Sequence, residues 1–134
     1  MRVLALDYGA ASCGCAVSDP TGVLATPIDP VPAPSSKRGI GRLRALVREL
    51  DVQRVVVGLP VSLRGGDSEQ TAEARAFAER LASAVAVPVE LYDERFTTRL
   101  AQQSGGVASE HSRAAAHLLE SWLARGSDGE RMGG

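Results

Sequence analysis

The chain has 134 residues and a mass of 14.0 kDa, with 44% hydrophobic residues, enough for one real core and too little for two domains. Its formal net charge is −1, from 15 Lys and Arg against 16 Asp and Glu, so no global positive field advertises a polyanionic partner and any basic surface must be local. Cys13 and Cys15, the only cysteines, are too close together for a secreted disulfide framework and lack the further ligands of a structural zinc site. A reducing cytoplasm fits them best, and no stretch approaches the ~20 apolar residues of a membrane span. Met1-Arg2 leads into a short apolar run without a signal-peptide cleavage pattern.

Residues 2–7 (RVLALD) form a nearly continuous apolar run, the mark of a strand covered on both faces, and it ends on Asp7. A turn over 8–12 leads to CGCAVS at 13–18, and the turn signal Asp19-Pro20-Thr21-Gly22 leads to GVLATPI at 22–28, which predicts two antiparallel neighbours. The proline-rich segment 29–36 (DPVPAPSS) reads as a surface linker, because its prolines lack amide donors and restrict the residues before them. Ile40, Leu43, Val47 and Leu50 recur at helical spacing behind a candidate cap, Ser36, so 37–50 is expected to be an amphipathic helix. RVVVGL at 54–59 then makes a second buried strand.

In the second half, Asp67 and Gln70 resemble a capping box for a helix over 68–85, with Ala74, Phe77, Ala78 and Leu81 as its inward stripe. VPVEL at 88–92 returns as a strand, a short helix is expected near Thr97, and Gly105-Gly106 interrupts it. The last helix spans 111–125 with Ala115, Leu118, Leu119 and Trp122 inside, leaving 126–134 as a flexible tail behind a single domain of residues 1–125. Early strands followed by alternating helices and strands imply an α/β fold, a mixed sheet with helices on its faces.

A carboxylate at the carboxyl end of a central strand sits where open α/β sheets place their ligands, and burying it is costly without a cation or donors. The alternative for Asp7 is an ordinary turn acid accepting from the amides of Gly9 and Ala10. Two further stretches bear on the choice, VVVGLP at 55–60 and YDERFTT at 92–98. With LALDYG near the start, GLP followed by a glycine-rich loop, DERFTT, and the closing AAAHLLESWL, the chain resembles the YqgF or RuvX family of RNase H-like proteins, related to the Holliday-junction resolvase RuvC. The resemblance runs to about residue 125.

That resemblance implies an RNase H-like fold, with a five-stranded mixed sheet in the order 3-2-1-4-5 and the first three strands antiparallel. It also implies a metal-dependent nuclease that cleaves phosphodiester bonds in maturing the 5′ end of 16S ribosomal RNA precursor, in contact with the pre-ribosomal particle. Resolution of branched DNA is the alternative within the same chemistry. On such a sheet Asp7 and Glu94 share the carboxyl edge, one strand apart, with side-chain-free Gly58 between them. Two convergent carboxylates suit Mg²⁺ or Mn²⁺. Asp93 competes with Glu94 as the second ligand, since adjacent strand residues point to opposite sides.

Arg95 is placed to neutralise a phosphate or to pair with Asp93, and Thr97 and Thr98 to contact phosphate or cap the next helix. Arg64, in the loop 61–67, is either a substrate contact or part of a plain connector. Lys37, Arg38, Arg42, Arg44 and Arg48 give the first helix a basic side that either follows a nucleic-acid backbone or is simply solvated. Where the family usually carries a third acid the chain has His111, and Ser12 stands where its turn commonly has arginine. Stepping back from Trp122 through Leu118 and Ala115 puts His111 on the inward stripe as a third metal ligand; the alternatives are a solvent-facing helix-start histidine and substitution by Glu110. A silent RNA-binding assembly factor, and a phosphate loop like that of the actin and sugar-kinase ATPases at residues 6–19, are readings from other classes.

Overall fold

A computed structural model of the chain describes residues 1–60, 69–94 and 110–133, the last stretch with side chains through residue 125. The elements in chain order are β1 (Val3–Asp7), β2 (Ser12–Ser18), β3 (Ala25–Pro32), α1 (Lys37–Glu49), β4 (Arg54–Leu59), α2 (Glu69–Ala84), β5 (Val89–Asp93) and α3 (Glu110–Gly133). Five strands form one sheet in the order β3-β2-β1-β4-β5, antiparallel among the first three and parallel from β1 to β4 to β5. This is the α/β, RNase H-like arrangement that the motifs imply, with β1 at the centre.

Alternation along the strands divides the core into two layers. Leu4, Leu6, Val55 and Val57 face α1 and α2, where Leu43, Val47, Phe77 and Leu81 cover them. Val3, Ala5, Ala16, Val56 and Tyr92 face α3 through Ala115, Leu118, Leu119 and Trp122. Burying each of the larger side chains stabilises the fold by about 1.5–3 kcal/mol. Polar contacts then fix α3 along β5. The Trp122 indole donates to Glu90 at 3.0 Å, Arg54 pairs with the same carboxylate at 2.7 Å, and the Tyr92 and Ser121 hydroxyls meet at 2.8 Å.

Local chemistry sets the element ends. The Ser36 hydroxyl accepts from the Gly39 amide at 2.9 Å and starts α1 at Lys37. Between β2 and β3 the Asp19 carboxylate accepts from the Thr21 hydroxyl and from the Leu24 and Val23 amides, both at 2.8 Å. These bonds, the Thr21 bond foremost, hold the Asp19 carboxyl well below the usual carboxylate range. A pKa depressed on folding means the turn's contribution is present at neutral pH and lost only as pH falls through the acid range.

Two expectations need correction. The segment 29–36 is not all linker, because β3 runs on to Pro32, through Pro27 and Pro30. An edge strand needs ladder bonds on one side only, so missing proline amides are tolerated there. The register also slips between Cys13, opposite Val31, and Cys15, opposite Ile28, which gives β3 an extra residue. The second correction is at the carboxyl end: α3 does not stop at 125 but continues to Gly133, with no proline to interrupt it. The Asp67–Gln70 capping box, the short helix near Thr97 and the Gly105-Gly106 interruption fall wholly or partly outside the described residues. Among the described residues no helix is long and apolar enough to cross a membrane.

Candidate active site

Asp7 ends β1 opposite Gly14 of β2, and β4 lies on its other side with Val57 opposite Leu6. Because Val3 and Ala5 pack against α3, strand alternation turns Asp7 to the same face. Gly58 follows Val56 on that face, and Glu94 follows Tyr92, whose ring is also buried there. Asp93 therefore points to the opposite side. Glu94 stands just past the end of β5, and its contact over Gly58 puts it on the face that Asp7 shares.

Glu94 lies directly over Gly58. A Cβ added at Gly58 would stand 3.0 Å from Glu94 Cγ, 3.1 Å from its Oε1 and 3.0 Å from Leu118 Cδ2. The carboxylate occupies the space that any larger residue at 58 would fill, on the strand between β5 and β1. Two strand spacings of about 4.8 Å separate the backbones that carry Asp7 and Glu94, and Glu94 folds along this gap. Among the described residues no hydrogen-bond donor meets the Asp7 carboxylate, so the turn contacts to Gly9 and Ala10 do not form. Tyr8 instead turns to the other face, stacks against Phe77 at 4.8 Å and shares a hydrogen bond of 3.1 Å with Ser35.

The first turn of α3 also reaches this edge. A Cβ on Gly14 would lie 2.0 Å from the His111 carbonyl oxygen and 2.9 Å from the Ser112 amide nitrogen, so the helix backbone rests directly on β2 beside Asp7. The inward residue there is Ser112, fully buried, and the His111 side chain is exposed rather than on the inward stripe. A seven-residue count back from Leu118 leaves the phase of a first turn uncertain by one residue, and the close approach at Gly14 admits only the small serine. Sequence reasoning passed over Ser112, whose one signal is a polar residue in an apolar stripe. Its hydroxyl accepts from the Cys15 amide at 3.3 Å and donates to the Ile28 carbonyl at 2.5 Å, joining α3 to β2 and β3. Ser112→Ala should therefore lose about 1–3 kcal/mol, the cost of stranding buried backbone groups, seen as a lower denaturant midpoint at unchanged slope.

Cys13 and Cys15 lie on the α1–α2 face, both buried. The Cys13 thiol is pushed well above its ordinary value, first by its hydrogen bond with Cys15, then by burial and by the charges of Cys15 and Asp7. A raised pKa disfavours the thiolate, the form that attacks or ligates. Pro60, just after β4, is tied to α2, since the buried Thr71 hydroxyl donates to its carbonyl; Arg64 belongs to the segment that follows it. Arg64, Arg95, Thr97 and Thr98 lie outside the described residues.

Among the described residues the donors on the shared face are two hard carboxylates, and both cysteines lie on the other side. This set fits a cation held by one or two carboxylates together with water and substrate oxygens, as Mg²⁺ and Mn²⁺ commonly are. Among the described residues no three of His, Cys, Asp and Glu gather closely enough to hold a metal by themselves.

A relative from Streptomyces coelicolor, provisionally named a pre-16S rRNA nuclease, is 43% identical over 142 aligned positions covering 99% of this chain and 83% of its own length. One from Mycobacteroides abscessus, with the same provisional name, is 40% identical over 96% of this chain and 87% of its own. Among solved structures, Thermus thermophilus RuvC superposes with a TM-score of 0.58 at 18% identity, covering 95% of this chain and 97% of that one, a likeness of fold. The family model described as RuvX, Holliday junction resolvase, matches residues 1–125, and with relatives this similar along their length the chain belongs to the RuvX family.

Proposed function

We propose that this protein is a divalent-metal-dependent endonuclease that hydrolyses phosphodiester bonds, in maturation of the 5′ end of 16S ribosomal RNA precursor. The observation that carries the reading is the Glu94 carboxylate folded over Gly58 on the face that Asp7 shares, at the carboxyl edge of the sheet. Asp7 and Glu94 would hold Mg²⁺ or Mn²⁺, which when bound activates water and neutralises charge on a phosphodiester. The residues' own part is positional. β1 ends on Asp7 and β5 ends one residue before Glu94, Leu118 closes the inner wall beside Gly58, and the first turn of α3 rests on Gly14, which pairs with Asp7. Arg95, Thr97, Thr98 and Arg64 would contact phosphate around this centre.

The relatives' provisional name favours ribosomal RNA precursor, on a pre-ribosomal particle in the cytoplasm, as the setting. The family model's description favours a second reading, cleavage of branched DNA. Both substrates present the same phosphodiester. The test is cleavage of matched precursor RNA and four-way DNA junction with Mn²⁺, Mg²⁺ or chelator. Metal-dependent cleavage of the RNA alone supports the first reading, of the junction alone the second; no cleavage of either with any metal returns the chain to a silent binding module.

His111 would supply a third ligand by turning its exposed side chain back towards Asp7. Imidazole favours Mn²⁺ over Mg²⁺, so His111→Asp should shift preference towards Mg²⁺ and His111→Ala should lower apparent affinity for both. Identical metal titrations for all three proteins would place His111 outside the site.

A further inference from the structure

Helix α1 carries five of the chain's 15 Lys and Arg residues and one of its 16 acids. Lys37, Arg38, Arg42, Arg44 and Arg48 are all exposed, and the opposite side of the helix is buried through Ile40, Leu43, Leu46 and Val47. On a solvated helix face opposite charges four residues apart stabilise the helix and like charges destabilise it. Here Arg38 has Arg42 at that spacing and Arg44 has Arg48, so like charges are neighbours. The first turn contains no acid and holds Lys37 and Arg38, against the helix dipole. Arg48, in the last turn, is the one cation the dipole favours. Among the described residues none of the five has a carboxylate within ion-pair distance. The helix thus gathers positive charge on its exposed side, at a cost to the helix, and among the described residues no carboxylate pairs with it.

The position of this face gives it a use. The entry to α1 is joined to the residue after Asp7 by the Tyr8–Ser35 hydrogen bond of 3.1 Å, and its far end by Arg2, which donates to the Leu50 carbonyl at 3.1 Å. α1 therefore starts at the edge that holds Asp7 and runs to the opposite edge of the sheet. From Lys37 to Arg48 the helix rises about 17 Å. That length matches about five phosphates along one strand of a duplex, at ~3.4 Å each.

We propose that the exposed face of α1 is a phosphate-backbone track for nucleic acid that passes round the carboxyl edge of the sheet, from the α3 face that carries Asp7 and Glu94 to the opposite face that α1 covers. This deepens the nuclease reading and rests on it for the identity of the ligand. Contacts along the track are to phosphate, so they set affinity and direction rather than base sequence. RNA and DNA share this chemistry, and both are arms of the test.

The experiment measures binding of fluorescent RNA and DNA duplexes of one sequence, by anisotropy in chelator across a salt series. The proteins are wild type, a neutral variant (Arg38→Gln, Arg42→Gln, Arg44→Gln, Arg48→Gln) and a charge-preserving variant with Lys at the same four positions. Wild type should show a steep salt dependence. The Gln variant should lose at least ~10-fold in affinity at moderate salt and flatten the log–log slope by up to about 3.6, near 0.9 for each of the four contacts removed. The Lys variant should bind nearly as wild type, which separates charge from folding. If wild type binds and the Gln variant matches it in affinity and slope, or if wild type binds neither duplex, the track is overturned. Cleavage in Mn²⁺ is read separately. Loss of binding in the Gln variant, with no metal-dependent cleavage by wild type, would keep the track and overturn the nuclease reading; intact cleavage with unchanged binding would do the reverse.

Discussion

Asp7→Asn should abolish metal-dependent cleavage, by at least ~100-fold, and leave the fold intact. Asn has the same shape and sits equally well at the end of β1, but it brings no charge to hold a hard cation. Among the described residues no donor compensates the Asp7 carboxylate, and Glu94 approaches along the same face. In the metal-free protein the exchange should therefore be neutral or stabilising by up to about 1 kcal/mol, as at sites whose charges serve function at the expense of stability. A second readout follows from linkage. Wild type should gain thermal stability as Mn²⁺ is added, by RT ln(1 + [metal]/Kd), and Asp7→Asn should not. Unchanged cleavage would remove Asp7 from the mechanism. An unchanged metal-induced shift with lost cleavage would leave Asp7 acting on substrate and place the cation elsewhere.

Legibility in the sequence followed the physical strength of each signal. The strand ending at Asp7 was readable because a central parallel strand is apolar on both faces, and β4 was readable at the same bounds for the same reason. α1 announced its start through Ser36. Strand order is a different matter: periodicity says which residues share a face but not which strands are neighbours, and the order came from the resemblance carried by LALDYG and DERFTT. β3 was cut short because proline argues against strands in general, whereas Pro27, Pro30 and Pro32 lie on an edge, where the argument weakens. His111 and Ser112 show the remaining difficulty. Which of two adjacent residues turns inward depended on Gly14, nearly a hundred positions away in the chain, and on how closely two backbones approach there.

Gly14→Ala should be among the most damaging substitutions at the described glycines. Its new Cβ would meet the His111 carbonyl oxygen at 2.0 Å, the carbonyl carbon at 2.3 Å and the Ser112 nitrogen at 2.9 Å. These are backbone atoms, so no rotamer change relieves the clash and the first turn of α3 must lift. Lifting it breaks the Ser112 bonds to the Cys15 amide and the Ile28 carbonyl, each worth about 1–3 kcal/mol when stranded in the interior. Packing is lost beneath the helix as well, for a total of about 4 kcal/mol or more, a midpoint fall of ~10–20 °C. Gly58→Ala tests the opposite balance. Its Cβ meets side-chain atoms, Glu94 Cγ and Leu118 Cδ2 at 3.0 Å, which can give way, so stability should fall by about 1–3 kcal/mol at most. Displacing Glu94 from the face of Asp7, however, should cost cleavage far more than that loss of stability implies. Gly41→Ala in α1, with nothing within 4 Å of its Cβ, should instead stabilise the protein by about 0.5–1 kcal/mol through helix propensity. Thermal and denaturant unfolding of the three variants, with cleavage assayed on those that fold, reads the series. A mild Gly14→Ala would mean that α3 does not rest on β2 as described, and full activity in Gly58→Ala would mean that the position of Glu94 over Gly58 does not matter to the chemistry.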